Sequence, residues 1–457
     1  MENTATQRTA LLAVCLSAFI GPLMLSAVNV AIPAIARGLH VDAILMSWVP
    51  TAYLLTSAVL LLPFGKIADI YGRKKVFLTG MSIVTIASVC ASTSPSIGIL
   101  IGWRVLQGIG ASMLFSTGVA ILSSVFPREK RGAAIGMSVS SVYFGLTCGP
   151  LVGGWATQHF SWRAAFLVHV PLAVAVIAFV AWRLRQEWRD ERAKGFDLPG
   201  AMIYAVAIVA LMYGFSILPS HSSAALILFG LAGIAAFVRF ESRIENPIFD
   251  TRLFLNNRVF TFSCLASLVV YSSTFANSYL MSLYLQYLQG MTPRTAGMIM
   301  MSQPLIMALC SPFAGRLSDR AEPRFIASLG ITVIALGLGL LSTLSAGTPV
   351  PVVVGYLFTV GLGVSLFSSP NVNAIMGSVA KEHLGTASGA SGTMRVLGQM
   401  FSMAIVTVVF AFAMGRVHID ANHLPQLLHS IRMSFLVAAC VCGSAILLSL
   451  SRGTLHR

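Results

Sequence analysis

Residues 65–75 read GKIADIYGRKK and lie between two long apolar runs. The stretch is too short for a domain and too charged for a bilayer core, so it predicts a tight turn between two membrane helices at one membrane face. Gly65 and Gly72 allow the backbone to turn and to approach closely. A basic cytoplasmic loop alone would explain the lysines, but it would not explain the spacing of Asp69, Gly72 and Arg73.

The composition indicates a membrane protein. The chain is 56% apolar and 10% charged, with a mean hydropathy of +0.83. Soluble proteins carry about 25% charged residues. Many apolar runs exceed the length of about 18 residues that marks a membrane helix. The net charge of +15 would suggest nucleic-acid binding in a soluble protein. In a membrane protein the location of the cations indicates the orientation instead, and no nucleic-acid partner is expected.

The apolar runs predict an all-α polytopic protein with fourteen transmembrane helices. The first run is too long for a signal peptide and is interpreted as a retained helix. Because the number is even, both termini are expected on one side. The predicted spans are 10–36, 45–65, 75–93, 97–126, 133–156, 163–183, 199–218, 223–240, 259–289, 295–315, 324–344, 349–376, 386–415 and 431–451.

The distribution of cations sets the predicted orientation. With a cytoplasmic N-terminus, most of the 30 Lys and Arg residues fall in cytoplasmic segments. This excess predicts that both termini are cytoplasmic. No Asp or Glu falls in the middle of a predicted helix. Seven cations do not fall in cytoplasmic segments. Two of them lie inside predicted helices, Arg104 and Arg395, and five lie in segments on the outer side of the membrane: Arg37, Arg163, Arg294, Arg416 and Arg432.

An internal repeat divides the chain. Residues 101–110 (IGWRVLQGIG) resemble residues 354–363 (VGYLFTVGLG), and residues 315–320 are a degraded copy of the first stretch. Parallel repeats of this kind are typical of transporters. The predicted units are a six-helix bundle over 1–183, an inserted helix pair with basic flanks over 184–258, and a second six-helix bundle over 259–457.

Two helices carry motifs with chemical content. Helix 4 contains Arg104 and Gln107, and a charge at bilayer depth costs about 2.5–3.5 kcal/mol. Arg104 is therefore either a structural residue bonded to backbone carbonyls or a cation in a central cavity. Helix 5 reads GxxxGPxxGG; packing alone explains its small residues, but the whole motif is rarer. Its defining residues are Gly145, Gly149, Pro150, Gly153 and Gly154.

Together these motifs resemble the fourteen-helix drug:proton antiporter family of the major facilitator superfamily. The likeness covers nearly the whole chain, including Asn29 in helix 1 and Arg395 in helix 13. The resemblance implies export of amphipathic small molecules across the cytoplasmic (inner) membrane by alternating access with proton antiport. It also implies a cytoplasmic gate formed by Gly65, Asp69, Gly72, Arg73 and Lys74, which latches the two halves when the cavity faces outward.

The chain departs from that family at one position. Members usually carry an Asp five residues before the Asn of helix 1, where this chain has Met24. The usual proton carrier is therefore missing. His169 is the only histidine inside a predicted helix, and a histidine titrates near neutral pH. It is the candidate proton carrier, with a structural hydrogen-bonding role as the alternative.

Aromatic residues in helix 9 suggest a cavity wall. Tyr271, Phe275 and Tyr279 recur every four residues beside Asn277, either for packing or to line a cavity. The predicted central cavity contains Asn29, Arg104, Gln107, Phe275, Asn277, Tyr279 and Arg395.

The alternatives to drug export are few. Two core cations without core carboxylates would also suit a facilitator or importer of a neutral or anionic solute. A membrane-embedded enzyme would need convergent catalytic groups, and none is found, so the chain is not expected to be an enzyme. The seven cysteines give no disulfide or metal pattern, and no cofactor is expected. The expected partners are a small-molecule substrate, the lipid bilayer and protons; the chain is expected to be a monomer, with a periplasmic adaptor as a further candidate.

Overall fold

The computed structural model describes residues 2–184, 186–189, 195–244, 247–249, 251–318, 320–380, 384–415, 417 and 419–453. All regular structure in these ranges is helical, and fourteen segments are long and apolar enough to cross a membrane. The predicted count is confirmed, and the chain is a multi-pass membrane protein. We number the segments in chain order as α1 (Thr6–Leu39), α2 (Ala43–Tyr71), α3 (Arg73–Ser92), α4 (Ile97–Val125), α5 (Lys130–His159), α6 (Trp162–Arg183), α7 (Leu198–Ser216), α8 (His221–Glu241), α9 (Arg258–Leu288), α10 (Pro293–Ser318), α11 (Pro323–Leu341), α12 (Val350–Gly377), α13 (Thr386–Ala413) and α14 (Leu424–Ser451).

Residues 65–75 are not the turn that the sequence predicted. Helix α2 continues to Tyr71, and only Gly72 separates it from α3. Gly72 has a φ of 119°, which residues with a side chain rarely adopt. One glycine therefore makes the reversal, and Asp69 stands on the last turn of α2. We call this end of the bundle the basic end, because the cation-rich connections lie there.

Two segments are interrupted in the membrane. In α9, helix Arg258–Thr274 stops before Asn277–Leu283, and the amide of Ala276 donates to Ser402 Oγ of α13 at 2.9 Å. In α10, helix Pro293–Met300 stops before Ser302–Ser318. Pro304 has no N–H for the carbonyl of Met300, which favours that break. These interruptions change which faces of α9 and α10 meet their neighbours.

Segments α1–α6 form an N-terminal half and α9–α14 a C-terminal half with the same packing. Helix α1 packs on α5 as α9 packs on α13, and α3 packs on α4 as α11 packs on α12. The crossings match in detail, because Gly80 contacts Gly110 in the first half and Gly330 contacts Gly363 in the second. This correspondence agrees with the internal repeat read from the sequence.

The pair α7 and α8 lies outside these two bundles. Helix α7 packs against α2 and α13, and α8 packs mainly against α7. The Tyr204 hydroxyl of α7 donates to the carbonyl of Ala58 in α2 at 3.1 Å. The pair therefore flanks one of the two places where the halves meet.

Candidate functional site

A chain of buried polar side chains runs through the N-terminal half. Arg104 Nε donates to the Val49 carbonyl at 2.8 Å, and its Nη1 donates to Gln107 Oε1 at 2.7 Å. Gln107 Nε2 donates to Ser88 Oγ at 2.8 Å, and Ser88 Oγ lies 3.0 Å from His169 Nε2. These contacts join α2, α3, α4 and α6 through one hydrogen-bonded network.

The network is fully enclosed. Arg104, Gln107, Ser88 and His169 are each 0% exposed. The guanidinium of Arg104 also lies over the ring of Tyr53, 4.6 Å from its centroid. Two nitrogens, Arg104 Nη2 and His169 Nδ1, have no described hydrogen-bond partner. The Arg104 cation is thus held by a backbone carbonyl, a side-chain amide and an aromatic ring, and the network contains no carboxylate.

Met24 and His169 meet at the end of this network. The Met24 sulfur lies 3.9 Å from Ser88 Oγ, so the helix-1 position at which the resemblance predicts a carboxylate adjoins the hydrogen-bond partner of His169. His169 stands at the N-cap of the helix Val170–Arg183, after a 3₁₀ segment, and not in mid-helix. The prediction that it is the only helical histidine is wrong, because α14 begins at Leu424 and contains His429.

The halves are held together at the end of the bundle opposite the basic end. Within the described residues, every hydrogen bond between the halves lies in the part of the helices away from the basic end or at the membrane centre. These bonds join Ala43 to Val417, Ser47 to Thr407, Asn29 to Ser278, Val30 to Gln286 and to Ser282, Pro33 to Tyr287, Gln158 to Arg294, and Tyr143 to Ser368.

The helix-5 motif lies in this contact. Gly145, Gly149 and Gly153 face α1, where an added Cβ would meet helix backbone or side chains at each position. Gly154 and Pro150 face α10 in the other half instead. A Cβ on Gly154 would overlap the Pro293 carbonyl, and one on Gly297 would overlap the Pro150 carbonyl. The motif therefore serves both the packing of α1 and the seam between the halves.

The cross-half hydrogen bonds of the described residues do not continue to the basic end. A Cβ built on Gly132 or Gly136 of α5 would meet no atom within 4 Å, and the same holds for Gly389 and Gly392 of α13. The halves are therefore bonded at one end of the bundle and, within the described residues, not bonded at the basic end; we call this unbonded part of the seam the gap.

A polar cluster lies where this gap reaches the membrane centre. Tyr143 of α5 donates its hydroxyl hydrogen to Ser368 Oγ of α12 at 3.0 Å. Arg395 of α13 and Tyr271 of α9 are close enough to act electrostatically on the Tyr143 hydroxyl. The side chain of Arg395 is half-buried and forms no hydrogen bond or ion pair with the described residues.

The seven residues predicted to line one cavity are divided among several places. Arg104 and Gln107 lie inside the N-terminal half, away from the gap, because their polar groups are bonded to α2 and α3. Asn29 is at the seam, and Arg395 is at the gap. The remaining three, Phe275, Asn277 and Tyr279, belong to α9, and the interruption of that segment sets their positions.

The interruption separates the aromatic residues of α9. Tyr271 and Phe275 are half-buried, whereas Tyr279 is fully buried against Phe410, with ring centroids 6.4 Å apart. Asn277 donates to Gln303 of α10. The stripe predicted from four-residue spacing thus divides into two half-buried aromatic residues and one that is buried in the core.

The predicted gate residues interact within the N-terminal half and with the segment after it. Arg73 donates to Asp69 Oδ1 through Nε at 3.0 Å and through Nη2 at 2.7 Å, and to the Ala120 carbonyl through Nη1 at 3.1 Å. The amide of Lys74 donates to Glu187 Oε1 at 2.8 Å. A side chain at Gly72 would also overlap the Glu187 carboxyl group. The counterpart residue Asp319 of the second half lies outside the described residues.

Asp69→Asn and Arg73→Ala are each expected to lower transport about tenfold with normal membrane insertion. The doubly bonded ion pair orders the α2–α3 connection, and charge-assisted hydrogen bonds are worth about twice the neutral ones. The measurement is substrate flux in proteoliposomes normalised to inserted protein. Lys75→Gln is the matched control, since Lys75 is exposed in the same segment. If both variants transport at the wild-type rate, the segment acts only as a topology signal.

Several residues of these networks gave no sequence signal. Ser88 and Tyr143 look like ordinary helix residues, and Glu187 lies in a basic connection. Arg452 follows α14 as a cation at the end of an apolar run, yet it is 1% exposed and donates to Asn371 Oδ1 at 2.9 Å. Only an unusual polar residue inside an apolar helix could have indicated them, and Ser and Tyr are too common there.

Comparison with known proteins gives a consistent family. The family model described as Major Facilitator Superfamily matches residues 14–403 and 263–454. The chain is 29% identical over 442 residues to the riboflavin transporter RibZ of Clostridioides difficile (strain 630), covering 96% of each chain. It is 32% identical over 412 residues to the multidrug resistance protein Stp of Mycobacterium tuberculosis (strain CDC 1551 / Oshkosh), covering 89% of this chain and 76% of Stp.

Solved structures agree in fold. A crystal structure of a POT family transporter in complex with a thioalcohol-conjugated peptide superposes with a TM-score of 0.72 at 15% identity. The match covers 96% of this chain and 95% of that one. The similarity confirms the predicted fold and carries no information on substrate.

Proposed function

The chain belongs to the Major Facilitator Superfamily and is a secondary transporter of that kind, and from this premise we propose that it exports amphipathic small molecules by alternating access. The observation that carries the proposal is the asymmetry of the seam. The halves are bonded at the end opposite the signature segment, and among the described residues no hydrogen bond joins them at the other end. This is one of the two states that rocking halves require.

The proposed orientation places the basic end in the cytoplasm. Cations collect in cytoplasmic connections of membrane proteins. With that orientation the gap beside Gly132 and Gly389 opens to the cytoplasm, and the bonded end lies on the outer side. A gap open to the cytoplasm is suited to loading an exported compound.

The lining of the gap favours neutral or anionic compounds with an aromatic part. Tyr271 and Phe275 offer aromatic surface, and Arg395 offers a positive charge. In the described part of the chain, no Asp or Glu lies in the central turns of a membrane-spanning segment. A lipophilic cation would therefore find no opposite charge there. Drug export also agrees with the name of Stp.

Proton coupling is the proposed driving force, with His169 as the first candidate carrier. His169 is the histidine of the buried network and is bonded through Ser88 and Gln107 to Arg104. A proton on its ring would add a second positive charge to a network without a carboxylate. That repulsion could couple protonation to the packing of α3, α4 and α6.

An inside-acid pH gradient is expected to drive accumulation of riboflavin in proteoliposomes. For one-to-one exchange, one pH unit supports about tenfold accumulation. In His169→Asn, which keeps a hydrogen-bonding side chain, we expect accumulation to fall to the level seen without a gradient. The measurement is flavin fluorescence inside the vesicles, with and without a protonophore. His429→Asn is the matched control, because His429 is exposed on α14.

Each other outcome has a defined meaning. An equal response of the wild type and His169→Asn would exclude His169 as the carrier. Flux without any response to the gradient would indicate a facilitator. If tetraphenylphosphonium proved a better substrate than riboflavin, the argument from missing carboxylates would be wrong.

A second candidate function is uptake or facilitated passage of a neutral or anionic solute. The relative named as a riboflavin transporter aligns over 96% of both chains, which favours a solute of this class over a drug. Comparing flux in the two membrane orientations without an ion gradient distinguishes it from export.

A further inference from the structure

We infer that Arg395 binds the anionic group of the substrate, in a site completed by Tyr143, Ser368 and Tyr271. The inference rests on the proposed function and makes its substrate class specific. The site would take one carboxylate, sulfonate or phosphate attached to an aromatic body.

The position of Arg395 is the first argument. Gly389, Gly392 and Arg395 recur every three residues, so they follow one side of α13. The two glycines border open space towards the basic end. Arg395 is half-buried, lies three residues beyond Gly392 and is close to the middle of α13. A molecule entering the gap along this side of α13 would therefore meet the Arg395 side chain at the membrane centre.

The unused bonding capacity of Arg395 is the second argument. A guanidinium offers five N–H donors, and those of Arg395 have no hydrogen-bond partner among the described residues. Placing a charge at this depth costs about 2.5–3.5 kcal/mol, and no described carboxylate offsets it. A guanidinium fork matches a carboxylate or phosphate with two parallel hydrogen bonds. An anionic ligand would supply the negative charge and the hydrogen-bond acceptors that the described residues do not offer to Arg395.

The neighbouring groups are the third argument. Tyr143 and Ser368 come from opposite halves and share a hydrogen bond, and their hydroxyls could reorient towards a ligand oxygen. Tyr271 and Phe275 are half-buried and lie one turn apart on α9. The site would thus combine a cation, two hydroxyls and aromatic surface, contributed by four helices of both halves.

The contrast with Arg104 shows why Arg395 is the residue to test. Arg104 is fully buried and bonded to Val49 and Gln107, so its charge is used inside the N-terminal half. Arg395 stands at the seam with its donors free. The two membrane arginines therefore have different roles, one organising a half and one facing the pathway.

The test uses two probes that differ only by one sulfonate group. Anilinonaphthalene sulfonate is an aromatic anion, and phenylnaphthylamine is the same ring system without the sulfonate. Binding of each to the purified full-length protein in phosphatidylcholine nanodiscs is measured by fluorescence, with empty nanodiscs subtracted. Arg395→Gln should raise the Kd of the sulfonate about ten- to a hundredfold and change that of the neutral probe less than about twofold. Arg395→Lys should recover part of the sulfonate affinity, because it restores the charge without the fork.

Arg432→Gln is the matched control, because its side chain is at the surface of α14 and donates to the Ser342 carbonyl. It should leave both Kd values unchanged. Equal loss of both probes in Arg395→Gln, or no loss of either, would overturn the assignment of Arg395. Vesicle flux of the sulfonate separates this from the proposed function. If binding depends on Arg395 but no flux is seen, the proposed transport is contradicted and the anion site is supported. If Arg395→Gln changes neither flux nor binding, transport is supported and the anion site is contradicted.

Discussion

Arg104→Leu is expected to reduce transport to background while the protein still inserts and folds. Arg104 ties α4 to α2 through Val49, and through Gln107 and Ser88 it ties α4 to α3. Alternating access moves each half largely as a rigid body. Without the guanidinium, the helices of the N-terminal half lose the bonds that make them move together.

The expected effect on stability is smaller than the effect on transport. Leucine leaves the Gln107 amide oxygen without the Arg104 donor, and a buried unpaired group costs about 1–3 kcal/mol, whereas the Val49 carbonyl keeps its bond within helix α2. It also removes a charge whose placement in the membrane costs about 2.5–3.5 kcal/mol. The two changes oppose one another, so the melting temperature should shift by only a few degrees.

The measurement for Arg104 is flux per inserted molecule together with thermal unfolding in detergent. Arg104→Lys should retain intermediate flux, because an ammonium keeps the charge but cannot bond Val49 and Gln107 with one rigid fork. Arg432→Leu makes the same substitution at the surface and should transport normally. Flux of Arg104→Leu within twofold of the wild type would show that the network does not organise the moving half.

Gly154→Ala and Gly297→Ala are expected to have the second large effect. Each added methyl group would overlap a backbone carbonyl of the other half, of Pro293 and Pro150 respectively. A backbone cannot move aside as a flexible side chain can, and overpacking typically costs about 1–3 kcal/mol. The bonded end of the seam should therefore close poorly, and transport should fall at least about tenfold.

The control for this prediction uses glycines on exposed faces of α4 and α12, away from the contact between the halves. Gly102→Ala and Gly355→Ala add the same methyl group where it meets no atom within 4 Å. These variants should transport at the wild-type rate, since the added group lies in open space. Seam variants that match them in flux would contradict the assignment of Gly154 and Gly297 to a tight contact between the halves.

The sequence by itself determined the architecture. Apolar runs long enough to cross a bilayer must be helical there, because every backbone N–H and C=O has to be bonded within the segment. The fourteen segments, the repeat and the family therefore follow from local hydrophobicity and from short motifs. Their ends were less certain, since helix α2 extends to Tyr71 through residues that look like a loop.

Only the tertiary structure decided what the polar side chains do. Arg104 and Arg395 are alike as sequence, each a cation inside an apolar helix. One faces a carbonyl and an amide within its half, and the other faces the seam. Likewise, Tyr279 leaves the face of Tyr271 because α9 is interrupted at residues 275–276. The role of a polar group in the membrane depends on which neighbours reach it, and those neighbours come from helices far away in the chain.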